Sequence, residues 1–241
     1  MTFEPIVENA IRDLVLANRI LSRENVIDDF GHVSVRHPTD PGRYFLSRSR
    51  SPEIVTRDDI MEFALDGEPI AQNGRSMYAE RAIHGAIYLA RSDVQAVAHH
   101  HTRSVLPFTV ADIPLKPLFH MGAVIGQQVP VWDSQPEFGD TNMLVDDLPK
   151  GRSLAQVLAD GRVVLLRGHG SVCAAPCLRS VCFVSIYLKE NADLVLKTLP
   201  FGPPNYLTPG EIDKTAEMLL RPMPLARAWD YWVARAGFSG L

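Results

Sequence analysis

The spacing of hydrophobic positions predicts helices in several parts of the chain. Residues 5–24 carry isoleucine, leucine and valine at helical spacing, which is typical of an amphipathic helix. The segment 79–91 repeats this spacing, a short helix is predicted over 153–159, and a long, mostly buried helix over 178–197. A linker rich in proline and glycine at 200–204 then leads into a final helix.

Segments typical of strands lie between these helices. Residues 30–36 and 44–47 predict two strands, because the segment between them is rich in turn-forming proline, aspartate and glycine. Residues 94–98 alternate β-branched with small or polar side chains, and 162–167 are predicted to form another strand. Strands and helices mix without the regular alternation of a parallel sheet. The pattern therefore predicts an α/β protein with a mixed or antiparallel sheet covered by helices.

The composition is that of one large domain without a nucleic-acid or membrane partner. Of the 241 residues, 46% are hydrophobic, which is enough for a substantial core, and the net charge is −4. No apolar run reaches transmembrane length, and the first residues lack a charged region ahead of an apolar stretch, so we expect a cytoplasmic protein. Cys173, Cys177 and Cys182 do not have the spacing of a zinc knuckle and are expected to be buried, reduced thiols.

Three consecutive histidines carry the clearest chemical information in the chain. In an extended strand, His99 and His101 lie on one face, about 7 Å apart along the backbone, and His100 lies on the other. A third candidate is His169, which stands between two glycines after a predicted apolar strand. Three neutral imidazoles with open coordination positions are typical of a catalytic metal site. The alternative is a chance run of histidines on a surface strand.

Five short segments occur in a fixed order along the chain: Gly31–Ser34, Ser47–Arg50, Met77–Glu80, His99–His101 and Gly168–Gly170. In that order they resemble the motifs of the class II aldolase/adducin family. Its members share a Gly-Asn-Ser-type strand, a phosphate-binding loop, a Ser-Ser-Glu helix start, a His-x-His strand and a later Asn-His-Gly. The resemblance extends over about residues 7–197.

The resemblance implies a fold, a cofactor and an assembly. The fold would be class II aldolase-like, an α/β/α arrangement with a central, mainly antiparallel sheet covered by helices. His99, His101 and His169 would bind one divalent metal ion, manganese or zinc, and the chain would form a homotetramer with active sites at subunit interfaces. Residues 1–200 would be the catalytic domain, and 201–241 a helical tail that packs on the core or on a neighbouring subunit.

The departures from the family motifs indicate a substrate without phosphate. The small donors of the family's phosphate loop give way to arginines, whose forked donors suit carboxylates, and a tyrosine replaces a serine at the helix start. Ordinary surface charge is the alternative for the arginines, and simple packing is the alternative for the tyrosine and for the histidine in the first motif. The predicted substrate-binding residues are His32, Ser47, Arg48, Ser49, Arg50 and Tyr78.

Such a site resembles the hydroxyaryl decarboxylases of the family, which act on pyridine dicarboxylates of pyridoxine breakdown or on 3,4-dihydroxyphthalate. We therefore predict a metal-dependent carboxy-lyase for an ortho-hydroxy aromatic dicarboxylate, with a pyridine or benzene ring, in aromatic or pyridoxine catabolism. One alternative is an aldolase or epimerase that acts on an unphosphorylated hydroxy-keto substrate. Another is a non-catalytic, adducin-like interaction module.

Glu80 is the predicted catalytic residue. It would protonate the ring carbon that loses the carboxylate, which requires a pKa raised by a partly desolvated pocket. Two alternatives remain open for this residue, a fourth metal ligand or a surface pair with His84 one helical turn away. His84 and His120 themselves are expected to have buried, hydrogen-bonded roles.

Overall fold

A seven-stranded sheet forms the centre of the computed structural model, which describes residues 5–237. The strands are β1 (His32–Arg36), β2 (Arg43–Ser47), β3 (Ile60–Ala64), β4 (Ala96–His100), β5 (Val131–Trp132), β6 (Val163–Leu166) and β7 (Gly170–Ala175). They lie in the order β3-β2-β1-β4-β7-β6-β5. Neighbouring strands run antiparallel except β5 and β6, which run parallel. The predicted α/β fold with a mainly antiparallel sheet is confirmed.

Helices cover both faces of the sheet and enclose two hydrophobic clusters. One cluster joins the sheet to the first helix and to the long helix that follows β7, and the other joins it to the helices before β4 and before β6. Within residues 5–237 the α-helices are α1 (Pro5–Arg23), α2 (Arg81–Ala90), α3 (Pro107–Val110), α4 (Gln135–Phe138), α5 (Leu148–Leu158), α6 (Leu178–Thr198), α7 (Pro209–Leu219) and α8 (Pro222–Arg235).

The alternation of β4 directs its histidines to opposite faces. Ala96 and Ala98 belong to the cluster beneath α1 and α6, and Val97 belongs to the cluster beneath α2 and α5. Side chains two positions apart share a face of a strand, so His99 continues the Val97 face toward α2. His100 points into the opposite layer, as the sequence predicts.

Local hydrogen bonds explain where predicted boundaries differ from the structure. Strand β1 begins at residue 32 rather than 30, because Asp28 accepts hydrogen bonds from the amides of Phe30 and Gly31 in a turn. Helix α5 begins at residue 148 rather than 153, because the Asp147 side chain caps it by accepting from the amide of Lys150.

The segment after the linker forms two helices, α7 and α8, where the sequence predicts one. Pro222 begins the second, as proline favours the first turn of a helix. Trp229 and Trp232 are buried in the cluster that contains α6, and Tyr231 is exposed.

Among the helices of residues 5–237, none has both the length and the apolar character needed to cross a bilayer.

The three cysteines are free thiols with different surroundings. Cys173 and Cys182 are buried, as predicted, and burial raises the pKa of the Cys173 thiol to about 12. Cys177 is only partly buried, because it lies at the start of α6, where its sulfur accepts a hydrogen bond from the amide of Ser180.

Candidate metal centre

The paired ends of β4 and β7 bring the predicted histidines together. His99 lies in β4, His101 follows its last residue, and His169 lies in the turn between β6 and β7. The close pairing of β4 with β7 needs glycine at the start of β7, because a Cβ on Gly170 would lie 2.4 Å from the carbonyl oxygen of His100. Glu80, at the beginning of α2, reaches the same point from the neighbouring layer.

Four ligand atoms from these residues converge. The Nε2 atom of His101 lies 3.1 Å from that of His99 and 3.2 Å from that of His169. Glu80 Oε2 lies 3.4 Å from His99 Nε2 and 3.6 Å from His169 Nε2, and the four ligand atoms all lie within 4.8 Å of one another. Ligand atoms about 2.1 Å from a tetrahedral ion would lie about 3.4 Å apart, so the spacing fits a divalent metal ion.

The hydrogen bonds behind the histidines direct three lone pairs toward the centre. Nδ1 of His99 faces the carbonyl oxygen of Ser171 at 3.1 Å, and Nδ1 of His169 faces that of Met143 at 3.0 Å. Nδ1 of His101 lies 3.1 Å from both carboxylate oxygens of Asp28. These partners accept hydrogen bonds only, so each Nδ1 carries the hydrogen and, in the neutral ring, each Nε2 is a bare acceptor. Three facing lone pairs repel one another unless a cation lies between them, which is the chemistry of a metal site.

The charge state of Glu80 differs from the sequence-based expectation. Burial alone would raise the pKa of its carboxyl, but His99 and His169 and a hydrogen bond from the amide of Val145 outweigh burial and lower the pKa to about 2. The expectation of a raised pKa is therefore wrong, because it considered burial without the surrounding histidines. The carboxylate is ionised at neutral pH.

The surroundings of Glu80 also exclude a surface pair with His84. Glu80 is buried, and its Oε1 accepts a hydrogen bond from the Val145 amide at 3.0 Å, while Oε2 faces His99 and His169. His84 is buried as expected, and it contacts His32 instead. His120, which was expected to be buried as well, is exposed.

Asp28 is a member of the site that the sequence reasoning missed. Its partner His101 is 73 positions away in the sequence. The local pattern Val26–Asp29 does not indicate that Asp28 forms a hydrogen bond with a metal ligand. Besides His101, it accepts hydrogen bonds from the amides of Phe30 and Gly31 at 3.0 and 2.9 Å. It therefore couples the orientation of a metal ligand to the turn before β1.

Exchanging Asp28 for asparagine should weaken metal binding. Asparagine keeps an acceptor for the turn amides but removes the negative charge beside His101, and losing such a partner typically costs about 10- to 100-fold in metal affinity. Competition with a chelator for Zn²⁺ measures this affinity, and Asp29→Asn, an exposed neighbour, is the control. Equal zinc affinity in Asp28→Asn and Asp29→Asn would contradict a role for Asp28.

Three of the predicted substrate-binding residues form a connected group that begins beside this centre. The His32 ring is 5.2 Å from the His99 ring and 4.6 Å from the Tyr78 ring, measured between centroids. Ser47 Oγ donates to the Tyr78 hydroxyl at 3.4 Å, and that hydroxyl donates a short hydrogen bond to the carbonyl oxygen of Arg50. Tyr78 thus contacts both the loop after β2, through its hydroxyl, and His32, through its ring.

The two arginines of this loop converge on a carboxylate of the protein. Asp59 Oδ1 lies 2.6 Å from Nε of Arg48 and 3.3 Å from a terminal nitrogen of Arg50, and the Asp59 side chain is almost fully buried. Burial acts to raise the pKa of Asp59, but the hydrogen bonds from Arg48 and Thr56 lower it overall. The arginines are therefore fixed in place rather than free surface charges, and one negative charge compensates part of theirs. Ser49 is exposed beside them.

Burial keeps the remaining histidines near the site neutral. It lowers the pKa of His84 to about 3, and it lowers the pKa of His32 well below the ordinary value, with the neighbouring histidines acting in the same direction. His100, on the opposite face, contacts Thr102 and Ser171, and burial lowers its pKa to about 3. These groups act as hydrogen-bonding imidazoles at neutral pH.

Sequence and structure comparisons with known proteins bear on the family and the fold. The sequence model of the Class II Aldolase and Adducin N-terminal domain matches residues 12–196. Decarboxylase tropJ of Talaromyces stipitatus is 29% identical over 96% of this chain and 95% of its own length. A 3,4-dihydroxyphthalate decarboxylase of Arthrobacter keyseri is 27% identical over 83% of this chain and 84% of its own. An aldolase II superfamily protein from Pseudomonas syringae superposes with a TM-score of 0.82 at 21% identity, over 99% of this chain and 96% of its own.

Proposed function

Since the chain belongs to the class II aldolase and adducin family, we propose that it is a metal-dependent lyase that removes a carboxylate from an ortho-hydroxy aromatic dicarboxylate. The ring would be a pyridine or a benzene, in aromatic or pyridoxine catabolism. The observation that carries this proposal is the convergence of Glu80 and three bare histidine nitrogens beside the His32 and Tyr78 rings. The two relatives named as decarboxylases support the choice of reaction.

His99, His101 and His169 would hold one divalent ion, manganese or zinc, and Glu80 Oε2 would be a fourth ligand only until the substrate binds. When bound, this ion supplies a Lewis acid that stabilises negative charge developing on the substrate during carbon–carbon cleavage. The bare Nε2 atoms and the ionised carboxylate are the donor set that such an ion requires.

Glu80 would transfer a proton from the substrate hydroxyl to the ring carbon. Because its carboxylate is ionised in the free protein, it can accept the hydroxyl proton when the substrate binds. As the carbon–carboxylate bond breaks, its electron pair stays on the ring carbon and carbon dioxide leaves. Glu80 Oε2 then returns the proton to that carbon, and the ring hydroxyl regains a proton from water. The amide of Val145 holds Oε1 throughout, which leaves Oε2 for the transfer.

The loop after β2 would bind the second carboxylate of the substrate. Arg48 and Arg50 each keep terminal nitrogens beyond the contacts with Asp59, and both side chains are about one-third exposed. Because Asp59 already fixes their orientation, less entropy is lost when a second carboxylate binds. Ser47 and Ser49 would complete this wall, with Tyr78 packing against the ring.

We further propose a homotetramer with active sites at subunit interfaces, formed by a catalytic domain of residues 1–200 and a tail of residues 201–241. Apolar side chains that remain exposed in one chain support an interface near the metal centre. Phe30 and Val110 are 71% and 69% exposed, Phe30 follows Asp28 closely in the chain, and Val110 lies close to Gly168 beside His169. A cavity of about 590 Å³ also adjoins His101 and Asp28.

The test is carbon dioxide release from a hydroxy-aromatic dicarboxylate. Metal-loaded protein should release one equivalent of carbon dioxide from 3,4-dihydroxyphthalate or from a hydroxypyridine dicarboxylate, and L-fuculose 1-phosphate should react poorly if at all. Efficient cleavage of the sugar phosphate, with no carbon dioxide from any aromatic acid, would overturn the proposal in favour of an aldolase.

A further inference from the structure

Four buried side chains form one chain of hydrogen bonds that runs from the core to the edge of the metal centre. The hydroxyl of Tyr88 lies 2.7 Å from Ser34 Oγ, and Ser34 Oγ lies 2.6 Å from Nδ1 of His84. Nε2 of His84 lies 2.6 Å from Nδ1 of His32, whose ring contacts that of His99. All four residues of the chain are at most 2% exposed.

The inner end of this chain sets its direction. Among the described residues, the only hydrogen-bond acceptor for the Tyr88 hydroxyl is Ser34 Oγ, so Tyr88 must donate to Ser34 or leave a buried O–H unsatisfied. Ser34 has one hydroxyl hydrogen, and it is then available for Nδ1 of His84. Neutral His84 therefore carries its hydrogen on Nε2 and donates it to Nδ1 of His32.

From this direction we infer that His32 is held in the tautomer with hydrogen on Nε2 and acts as a fixed hydrogen-bond donor for a substrate carboxylate. Nε2 of His32 has no hydrogen-bond partner among the described residues, yet this atom is not fully enclosed by the protein. The atom therefore keeps slight contact with solvent, although His32 as a whole is only 2% exposed, and a ligand bound beside His99 could approach it. In the opposite tautomer Nε2 would be a lone-pair acceptor, which repels a carboxylate.

The inference deepens the proposed function and rests on it for the identity of the ligand. A neutral donor binds an anionic oxygen without taking part in proton transfer, and its position does not depend on a side chain that is free to rotate. Ser34, His84 and Tyr88 are positioning residues, because they act through His32 and do not reach the ligand themselves. The specificity for a carboxylate would thus depend partly on Tyr88, a buried residue that sets the direction of these hydrogen bonds.

Nitrogen NMR of the zinc-loaded protein, labelled with ¹⁵N in histidine, tests the tautomer without any turnover. His32→Gln identifies the signals of His32, and the expected result is a protonated Nε2 and an unprotonated Nδ1. In Ser34→Ala, which removes the donor to His84, both nitrogens of His32 should become partly protonated. Hydrogen on Nδ1 of wild-type His32, or an unchanged pattern in Ser34→Ala, would overturn the assignment.

Calorimetric binding of phthalate to the zinc-loaded protein tests the donor. His32→Phe keeps a ring but has no donor, and it should weaken phthalate binding about 10- to 100-fold, as expected for a lost hydrogen bond to a charged group. His32→Gln keeps an N–H donor and should bind more tightly than His32→Phe. Equal affinity in His32→Phe and wild type, or no binding to wild type, would overturn the role of His32. Intact binding without decarboxylation of any aromatic acid would count against the proposed function alone.

Discussion

Replacing His169 with alanine is expected to remove the bound divalent ion and to lower turnover by at least about 10³-fold, because the Lewis acid contributes several kcal/mol to catalysis. Of the three histidines, His169 is the most informative to replace. It lies in a turn and is partly exposed, whereas His99 is fully buried in β4, where a cavity would also destabilise the sheet. Metal analysis should show about one equivalent per chain in wild type and little in His169→Ala.

The control for this experiment is a histidine outside the cluster. His120 is exposed and belongs to another part of the fold, so His120→Ala should keep both the metal and the activity. Thermal unfolding of metal-free wild type and metal-free His169→Ala should give similar midpoints, which separates loss of the ion from loss of the fold. Full metal occupancy in His169→Ala would show that His169 is not a ligand.

Much of the fold follows from the sequence because its strongest patterns are local. The apolar spacing of α1 and α6 and the alternation of β4 arise within single elements, and the structure gives these elements close to the predicted bounds. The opposite directions of His99 and His100 follow from the same alternation, since successive side chains of a strand point to opposite faces. Helix ends were less predictable, because a cap such as Asp147 acts through its side chain rather than through periodicity.

The candidate site depends on long-range contacts that a single sequence does not reveal. Asp28 reaches His101 from another segment of the chain, and His84 reaches His32 across 52 positions. The arginines of the loop after β2 are another case, because their shared partner Asp59 belongs to a later turn. Residue type suggested what each group could do, but only the packing of the layers determines its partner.

The pKa of Glu80 shows how such contacts change a chemical prediction. A glutamate in an apolar pocket holds its proton, whereas Glu80 accepts a hydrogen bond from a backbone amide and faces the histidine cluster. Positive charge in that cluster, from a proton or a metal ion, favours the ionised carboxylate. A group ionised before the substrate binds must obtain the proton that it later delivers. This requirement makes the substrate hydroxyl part of the mechanism and accounts for the preference for an ortho-hydroxy acid that we propose.

Replacing Glu80 with glutamine should therefore lower turnover by roughly 10²-fold or more while the fold remains intact. Glutamine matches the size of glutamate and can still accept the hydrogen bond from the Val145 amide, but it cannot take up and return a proton. The three histidines remain, and the amide oxygen of glutamine can take the place of the carboxylate oxygen, whereas alanine at position 169 leaves a ligand position empty. Glu80→Gln should therefore still bind close to one equivalent of metal. Single-turnover kinetics with measured metal content would separate the two roles of Glu80.

Glu80→Ala offers a second, independent view of the same proton transfer. It opens space for a small carboxylate, and added formate should restore part of the lost turnover in proportion to its concentration if the missing function is proton transfer. Glu68→Gln, which changes an exposed glutamate in the turn after β3, should behave as wild type. If Glu80→Gln keeps its metal and turns over near the wild-type rate, Glu80 does not transfer the proton. If turnover falls only in step with lost metal, and formate does not restore it, the same conclusion follows.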